Sequence, residues 1–417
     1  MKLVDSHSTA IPKGNLDGFK VHAKYDIISG FLVFLIALPL CLGISLASGY
    51  PAVAGIFTAI IGGVVATFIS NSELSIKGPA AGLIVIALGC VQEFGFTGGV
   101  DPAKDFQAYR LALGVGVVAG AYQIILGLFR VGILVNLFPK AAIHGLLASI
   151  GIIIISKQFP VLVGLSPQGS PLELLAGIPS FLTNMNPKVG VIGITGIIIV
   201  LGYGYIKNPK LKIIPAPMLM LLITVPMGTV MAIGLEGSYT FNNQIYELGQ
   251  KFLVNVPGNL LKAVTFPDFS GVVTETGIKY TVLFAIIGSL EGVISAKAID
   301  GIDPWGRKTN LDRDLLATGI ANTMSAFIGG LPMISEIVRS KANIDNGART
   351  RFANFYHGLF LLFCVALIPG FINQIPLAAL AALLVITGYR LASPNEFKSV
   401  YREGKDQFIV FVSTIFG

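Results

Sequence analysis

The chain has 417 residues, 53% of them hydrophobic and only 12% charged, with a formal net charge of +7. A soluble domain carries about 25% charged residues, and at a mean hydropathy of +0.77 a soluble fold of this size could not bury its apolar surface. The positive balance does not indicate nucleic acid, because the basic residues lie between apolar spans rather than on one face.

Polar residues run to about Asp26 with no cleavable signal pattern, so residues 1–24 read as a cytoplasmic N-terminal segment. Apolar segments then follow at 27–48, 53–70, 79–93, 107–129, 140–156, 188–206 and 213–235. A long polar loop occupies 236–276, and the pattern restarts at 277–296, 314–330, 333–345, 353–372 and 376–391. The segments 27–48, 107–129, 188–206, 213–235, 277–296 and 353–372 are long enough to cross a hydrocarbon core of about 30 Å. The others are shorter or broken by Gly and Pro. With no water in that core each segment must satisfy its own backbone, which predicts helices throughout. Barrel strands would alternate apolar and polar residues, and these do not. After 392–406, which reads as a surface piece, an apolar run begins at Gln407 and is too short to cross by Gly417. The second half thus reads as truncated, its missing part expected to complete the last spans, with a soluble C-terminal domain as a further option.

The basic residues set the orientation. Lys13, Lys20 and Lys24 belong to the N-terminal side. The loops on that same side carry Arg130 and Lys140; Lys207, Lys210 and Lys212; Arg307, Lys308 and Arg313; Lys341, Arg349 and Arg351; and Lys398, Arg402 and Lys405. The opposite loops have only Lys104, Lys188, Lys251 and Lys262. The N-terminus is therefore expected in the cytoplasm and 236–276 outside, in a multi-pass protein of the inner (plasma) membrane.

Cys41, Cys90 and Cys364 lie far apart in apolar segments and read as core packing rather than a disulfide or metal site. His7, His22, His144 and His357 form no ligand spacing. Gly114, Gly116 and Gly120 follow no strand, so they read as close helix packing in lipid rather than a nucleotide fingerprint. No Walker motif occurs, and no nucleophile, base and orienter converge, so an enzyme is not expected. No cofactor is expected, and transport energy would come from an ion gradient or the substrate's own.

The two halves echo each other. Ala66-Thr67-Phe68-Ile69-Ser70 leads into Leu74-Ser75-Ile76-Lys77-Gly78-Pro79, and Ser325-Ala326-Phe327-Ile328-Gly329-Gly330 leads into Leu331-Pro332. In each half a span ends, passes through an extended piece to a Pro, and gives way to a short apolar helix. An odd number of spans per half makes the repeats inverted, 25–235 and 277–417. Paired Pro/Gly-interrupted segments in inverted repeats point to a midplane binding site.

Each broken helix would present free N–H groups and about half a positive charge at its N-terminus. Two such ends facing one another cradle an anion. Pro79 is expected at the first helical position, with Ala80, Ala81 and Gly82 letting an ion approach the backbone. The facing helix is expected to begin near Ile334-Ser335-Glu336, with Ile337 behind. Simple kinking of the spans is the alternative. Charge inside a span is costly and marks function. Glu291 sits mid-span with Ser295 one turn on, able to hold Na⁺ or carry a proton. Glu336 and Arg339 are one turn apart; Arg339 would offset Glu336 and attract the anion, or the two would form a structural pair. A carboxylate at an anion site repels the anion, so Glu336 favours proton coupling. Lys77 would either add field from the cytoplasmic vestibule or snorkel to the surface.

Glu73 to Gly82, Gly330-Leu331-Pro332 with Val338-Arg339-Ser340 and Asn343, Gly347-Ala348-Arg349-Thr350 and the Glu291 span together resemble the SulP family of inorganic anion transporters, sulfate permeases and bicarbonate carriers, from about Tyr25 onward. The resemblance implies an all-α membrane protein of seven plus seven segments in an inverted repeat, with segments 3 and 10 broken. A core domain would come from segments 1–4 and 8–11, and a gate domain from 5–7 and 12–14, the chain stopping at the start of segment 13. It further implies alternating access, a dimer and, in many members, a cytoplasmic STAS domain. It places the anion at Pro79, Ala80 and Ala81 and at Ser335, Glu336 and Ile337. In Na⁺-coupled members the positions of Glu291 and Ser295 help hold the ion. Here Ile337 replaces a frequent Thr and Glu336 its small neighbour, which shifts weight from Na⁺ to H⁺. Leu38-Pro39-Leu40-Cys41-Leu42-Gly43 is similar to bacterial members associated with carbonic anhydrase, favouring bicarbonate over sulfate. The alternatives are an uncoupled channel-like conductor, a dicarboxylate transporter or a scaffold without transport.

Overall fold

The computed structural model describes residues 11–132, 140–167, 169–206 and 214–416. His7, Lys207, Lys210, Lys212 and the side chain of Lys140, all named above, lie outside the described set. In chain order the elements are α1 (Leu16–Ala47), α2 (Val53–Val64), α3 (Ala66–Ile69), β1 (Lys77–Pro79), α4 (Ile84–Glu93), α5 (Pro102–Leu128), α6 (Lys140–Leu162), α7 (Pro171–Ala176), α8 (Ile178–Thr183), α9 (Pro187–Gly202) and α10 (Ala216–Val230). The strands β2 (Gly237–Phe241) and β3 (Gln244–Leu248) follow, then α11 (Glu275–Ile302), α12 (Leu311–Phe327), β4 (Met333–Ser335), α13 (Ile337–Asp345), α14 (Phe352–Leu367), α15 (Pro369–Ile372), α16 (Leu377–Leu391), α17 (Pro394–Glu403) and α18 (Lys405–Phe416).

The helix starts follow local chemistry. Asp101 caps α5 by accepting from the Ala103 and Lys104 N–H groups, with Pro102 in the first turn. Asn186, Thr274 and Asn310 cap α9, α11 and α12 in the same way. Pro needs no hydrogen bond at that position.

Among the described residues six helical stretches are long and apolar enough to cross a membrane. They begin at Leu16, Pro102, His144, Pro187, Glu275 and Leu377. The expectation for 213–235 and 353–372 is corrected: the helices there are the shorter 216–230 and 352–367. Pro369 lacks the N–H that would continue α14, and the residue before a proline is pushed out of helical geometry; α15 restarts there as a separate turn. The first helix is longer than expected, since α1 already begins at Leu16 within the N-terminal segment. The expectation of helix alone is also corrected by two small antiparallel pairings, β1 with β4 and β2 with β3.

The chain divides into two compact units. The first comprises Met1–Cys41, Val53–Val135 and Asn259–Leu367. Glycines let its helices approach closely. A Cβ on Gly120 would stand 2.6 Å from the Thr323 hydroxyl and one on Gly116 3.2 Å from Ala326, so α5 lies directly on α12, as the small-residue spacing predicts. Gly63 of α2 faces Gly358 of α14, with a Cβ on Gly63 only 2.7 Å from the Gly358 Cα. Gly63→Ala is therefore expected to cost about 1–3 kcal/mol by forcing these helices apart, read as a lower melting temperature of the purified protein.

The second unit comprises Leu42–Ala52, Asn136–Gly258 and Ile368–Gly417. In it α6 meets α16 where Gly388 faces the Gly151 carbonyl. Phe411 of α18 is fully buried and packs edge-on to Phe397 of α17 at 4.9 Å. The β2–β3 hairpin stacks Tyr239 on Tyr246, and Lys188 lies 4.5 Å over the Tyr239 ring.

Candidate anion site

The site lies within the first unit and is built on β1 and β4. Their register pairs Lys77 with Ser335, Gly78 with Ile334 and Pro79 with Met333. Short as they are, both strands are fixed on all sides. The Lys77 N–H donates to Asn354 Oδ1 at 3.1 Å and the Ile76 N–H to Ser340 Oγ at 2.8 Å. The Met333 N–H donates to Asn322 Oδ1 at 2.7 Å, and the same amide donates to the Met333 carbonyl and to Gln123. The Glu336 N–H reaches the Ile76 carbonyl at 2.8 Å, and the Ala80 N–H the Pro332 carbonyl at 3.3 Å. These bonds satisfy irregular backbone that apolar surroundings would otherwise not tolerate.

From this ribbon two helices start. One leaves through the 3₁₀ turn Ala81–Leu83 into α4, with Ala80 as the extended residue before it. The other is α13, with Glu336 as its N-cap. Neither cap residue supplies a side-chain bond to the N–H groups that follow. Helix starts leave such groups unsatisfied by their own helix. Pro79 does not occupy the first helical position as expected. It ends β1, because pairing with Met333 holds it extended and helical structure begins only at Ala81. The second start lies at Ile337, past the expected Ile334-Ser335-Glu336, because Ile334 and Ser335 belong to β4.

Two carboxylates converge on the first helix start. A Cβ on Gly82 would stand 2.1 Å from Glu291 Oε1, so the Glu291 carboxylate rests on the bare Gly82 backbone. Glu336 lies against the Ala81 N–H, and Glu291 and Glu336 are close enough to feel each other's charge. One oxygen of each, Glu291 Oε2 and Glu336 Oε1, is buried without a partner among the described residues. Ser295 is buried one turn beyond Glu291 on α11. Ile337 and Val338 at the start of α13 are 40% and 54% exposed.

The other polar residues behave differently from expectation. Arg339 is 1% exposed. Its Nη2 donates to the Pro79 carbonyl at 3.2 Å, its Nη1 lies 3.5 Å from Cys41 Sγ, and its Nε is buried and unpartnered. The guanidinium fills the space a Gly78 Cβ would need. Arg339 thus brings a full positive charge behind the ribbon as well as bracing it. Lys77 neither lines a vestibule nor snorkels. Its ammonium donates to Asp314 Oδ2 at 2.7 Å, to Thr318 at 2.9 Å and to Ser335 at 2.8 Å, with the Lys77 and Asp314 side chains each only 2% exposed. Asp314 also accepts from Ser70 at 2.5 Å. The Ser335 hydroxyl is therefore turned into this network, away from the helix start that follows it. Asp314, Asn322 and Asn354 were missed by sequence reasoning. Their signal was a polar side chain inside an apolar stretch, but the partners Gln123, Lys77 and Ser70 lie more than 190 residues away and leave no spacing to recognise.

Among the described residues the cysteines form no disulfide, and Cys41 and Cys90 are buried. His144 meets Glu396 in the second unit at 3.1 Å. Among the described residues no three His, Cys, Asp or Glu group as a metal site.

The sulfate permease family matches residues 24–414. The putative sulfate transporter YvdB of Bacillus subtilis is 25% identical over 95% of this chain and 70% of its own length. The bicarbonate transporter BicA of Picosynechococcus is 25% identical over 88% of this chain, which spans 62% of that protein. The solved transmembrane domain of a cyanobacterial BicA superposes with a TM-score of 0.79 at 22% identity, covering 95% of both chains. SLC26A9 superposes with a TM-score of 0.79 at 14% identity over 94% of this chain and 62% of its own. These likenesses show a shared fold. The family covers nearly the whole chain, and the spans and fold agree with it. The chain belongs to the sulfate permease family, whose members are multi-pass membrane anion transporters rather than enzymes.

Proposed function

We propose that the protein is a secondary active transporter of a small inorganic anion, bicarbonate or sulfate. The observation carrying this reading is the pair of helix starts, at Ala81 and Ile337, that issue from one β1–β4 ribbon without a side-chain bond from their own cap residues. The anion would sit against Pro79, Ala80, Ala81 and Gly82 on one side and Glu336 and Ile337 on the other, with Arg339 supplying field from behind. Ser335 serves this site through its strand rather than its hydroxyl. Similarity to proteins named for sulfate and for bicarbonate supports both substrates.

Transport would follow alternating access, with the first compact unit as core and the second as gate. The chain would form a seven-plus-seven inverted repeat ending at the start of segment 13, with 1–24 cytoplasmic and 236–276 outside. Glu291, Ser295 and Glu336 would carry the coupling ion, H⁺ or Na⁺, in symport, unless the protein is an exchanger. A homodimer and an association with carbonic anhydrase belong to the same reading. The test is uptake of labelled bicarbonate, sulfate and dicarboxylates into proteoliposomes of full-length protein under imposed Na⁺ or H⁺ gradients. Glu291→Gln is expected to abolish gradient-driven uptake. Conductance that persists undiminished in that variant would instead identify an uncoupled conductor.

A further inference from the structure

We infer that the anion this site accepts carries a hydrogen-bond donor of its own, and that Glu291 and Glu336 recognise that donor. The inference rests on the proposed site and narrows its substrate class. The site offers two kinds of unsatisfied group. The N–H groups at the start of α13 receive no side-chain bond from their cap residue, and Arg339 Nε is buried without an acceptor among the described residues. These are donors that want anion oxygens. Glu291 Oε2 and Glu336 Oε1 are buried acceptors without a donor.

A halide, a nitrate or a fully deprotonated sulfate satisfies only the first kind. It leaves two buried carboxylate oxygens unpaired and adds a like charge beside them, and buried acceptors left unpaired are costly. A monoanion with an O–H satisfies both kinds: its oxygens take the N–H groups while its hydroxyl donates to a glutamate. Among the described residues no side chain donates to either oxygen. The Lys77 ammonium donates to Asp314, Thr318 and Ser335. Two guanidinium nitrogens of Arg339 face the Pro79 carbonyl and Cys41, and Arg339 also feels His357, whose ring is buried with neither nitrogen bonded. A site built to pair a substrate hydroxyl rejects the analogue that lacks it far more strongly than an apolar pocket rejects a change of size.

Bicarbonate and nitrate make the comparison directly. Both are planar monoanions of three oxygens, and they differ in one O–H. The experiment measures thermal stabilisation of the full-length protein in nanodiscs, and inhibition of labelled bicarbonate uptake in proteoliposomes, by bicarbonate, nitrate and sulfate at mildly alkaline pH. Bicarbonate is expected to act at a concentration about 100-fold below that of nitrate or sulfate. Glu336→Gln, which puts an amide N–H in place of an acceptor, is expected to shrink the preference to about threefold or less, chiefly by improving nitrate. Equal potency of nitrate and bicarbonate in the unmodified protein overturns the inference while leaving anion transport intact. A preference that Glu336→Gln leaves unchanged also overturns it. If no anion stabilises or is taken up, the proposed function itself fails.

Discussion

Lys77→Met is expected to lower the stability of the purified protein by about 3–5 kcal/mol, the cost of leaving one member of a buried ion pair alone. Asp314 would keep only the hydroxyls of Ser70 at 2.5 Å and Ser335 at 3.4 Å as described side-chain donors, in a position 2% exposed to solvent. Ser335 and Thr318 would each lose their bond to the ammonium at the same time. The pair joins the end of α12 to both strands, so its loss should loosen the ribbon from which the two helices start. Lys77→Met combined with Asp314→Asn removes the orphaned charge and keeps an acceptor for Ser70. That double variant should recover more than half of the loss. Chemical denaturation or thermal melting in detergent distinguishes the two. Equal destabilisation of single and double variants would show that the hydrogen bonds, not the charge, dominate.

Gly82→Ala should abolish transport more completely than it harms folding. The added Cβ would stand 2.1 Å from Glu291 Oε1 and 2.5 Å from Oε2, so the carboxylate must leave its place. No rotation of a flexible neighbour relieves this without moving the group the proposed mechanism depends on. Displacing a functional group by about 1 Å can cost 100-fold, and a loss of that order in initial uptake rate is expected. The melting temperature should move only slightly, since the displaced atoms are the end of one side chain. Gly116→Ala serves as a control. Its Cβ meets only Ala326 at 3.2 Å, far from the carboxylates in sequence and on a different helix contact. A Gly82→Ala protein with normal uptake would remove Glu291 from the substrate or coupling-ion path.

Much of this was legible in the residues themselves. The helices declared themselves through runs of apolar residues, because a bilayer admits few other solutions. The two interruptions at Pro79 and Pro332 showed where helices must restart, and Ala80, Ala81 and Gly82 showed where backbone would be approached. What the residues did not show was which groups do the approaching. Gly82 is bare because Glu291, more than 200 positions away, rests on it. Lys77 looked like a surface or vestibule charge because nothing adjacent marks Asp314 as its partner. The strand pairing was hidden for the same reason: three-residue ribbons have no periodicity, and their bonds come from Asn322, Asn354 and Ser340 on other elements. Helix boundaries moved where prolines intervene, as at Pro369.

The central claim is that the paired helix starts at Ala81 and Ile337 bind and carry a small anion. The most direct test is saturable uptake of a labelled anion, bicarbonate or sulfate, into liposomes containing the full-length protein, compared with its Gly82→Ala variant. Uptake is expected to saturate, to be inhibited by excess unlabelled anion, and to fall about 100-fold in the variant. Uptake no greater than in protein-free liposomes, or uptake indifferent to Gly82→Ala, would contradict it.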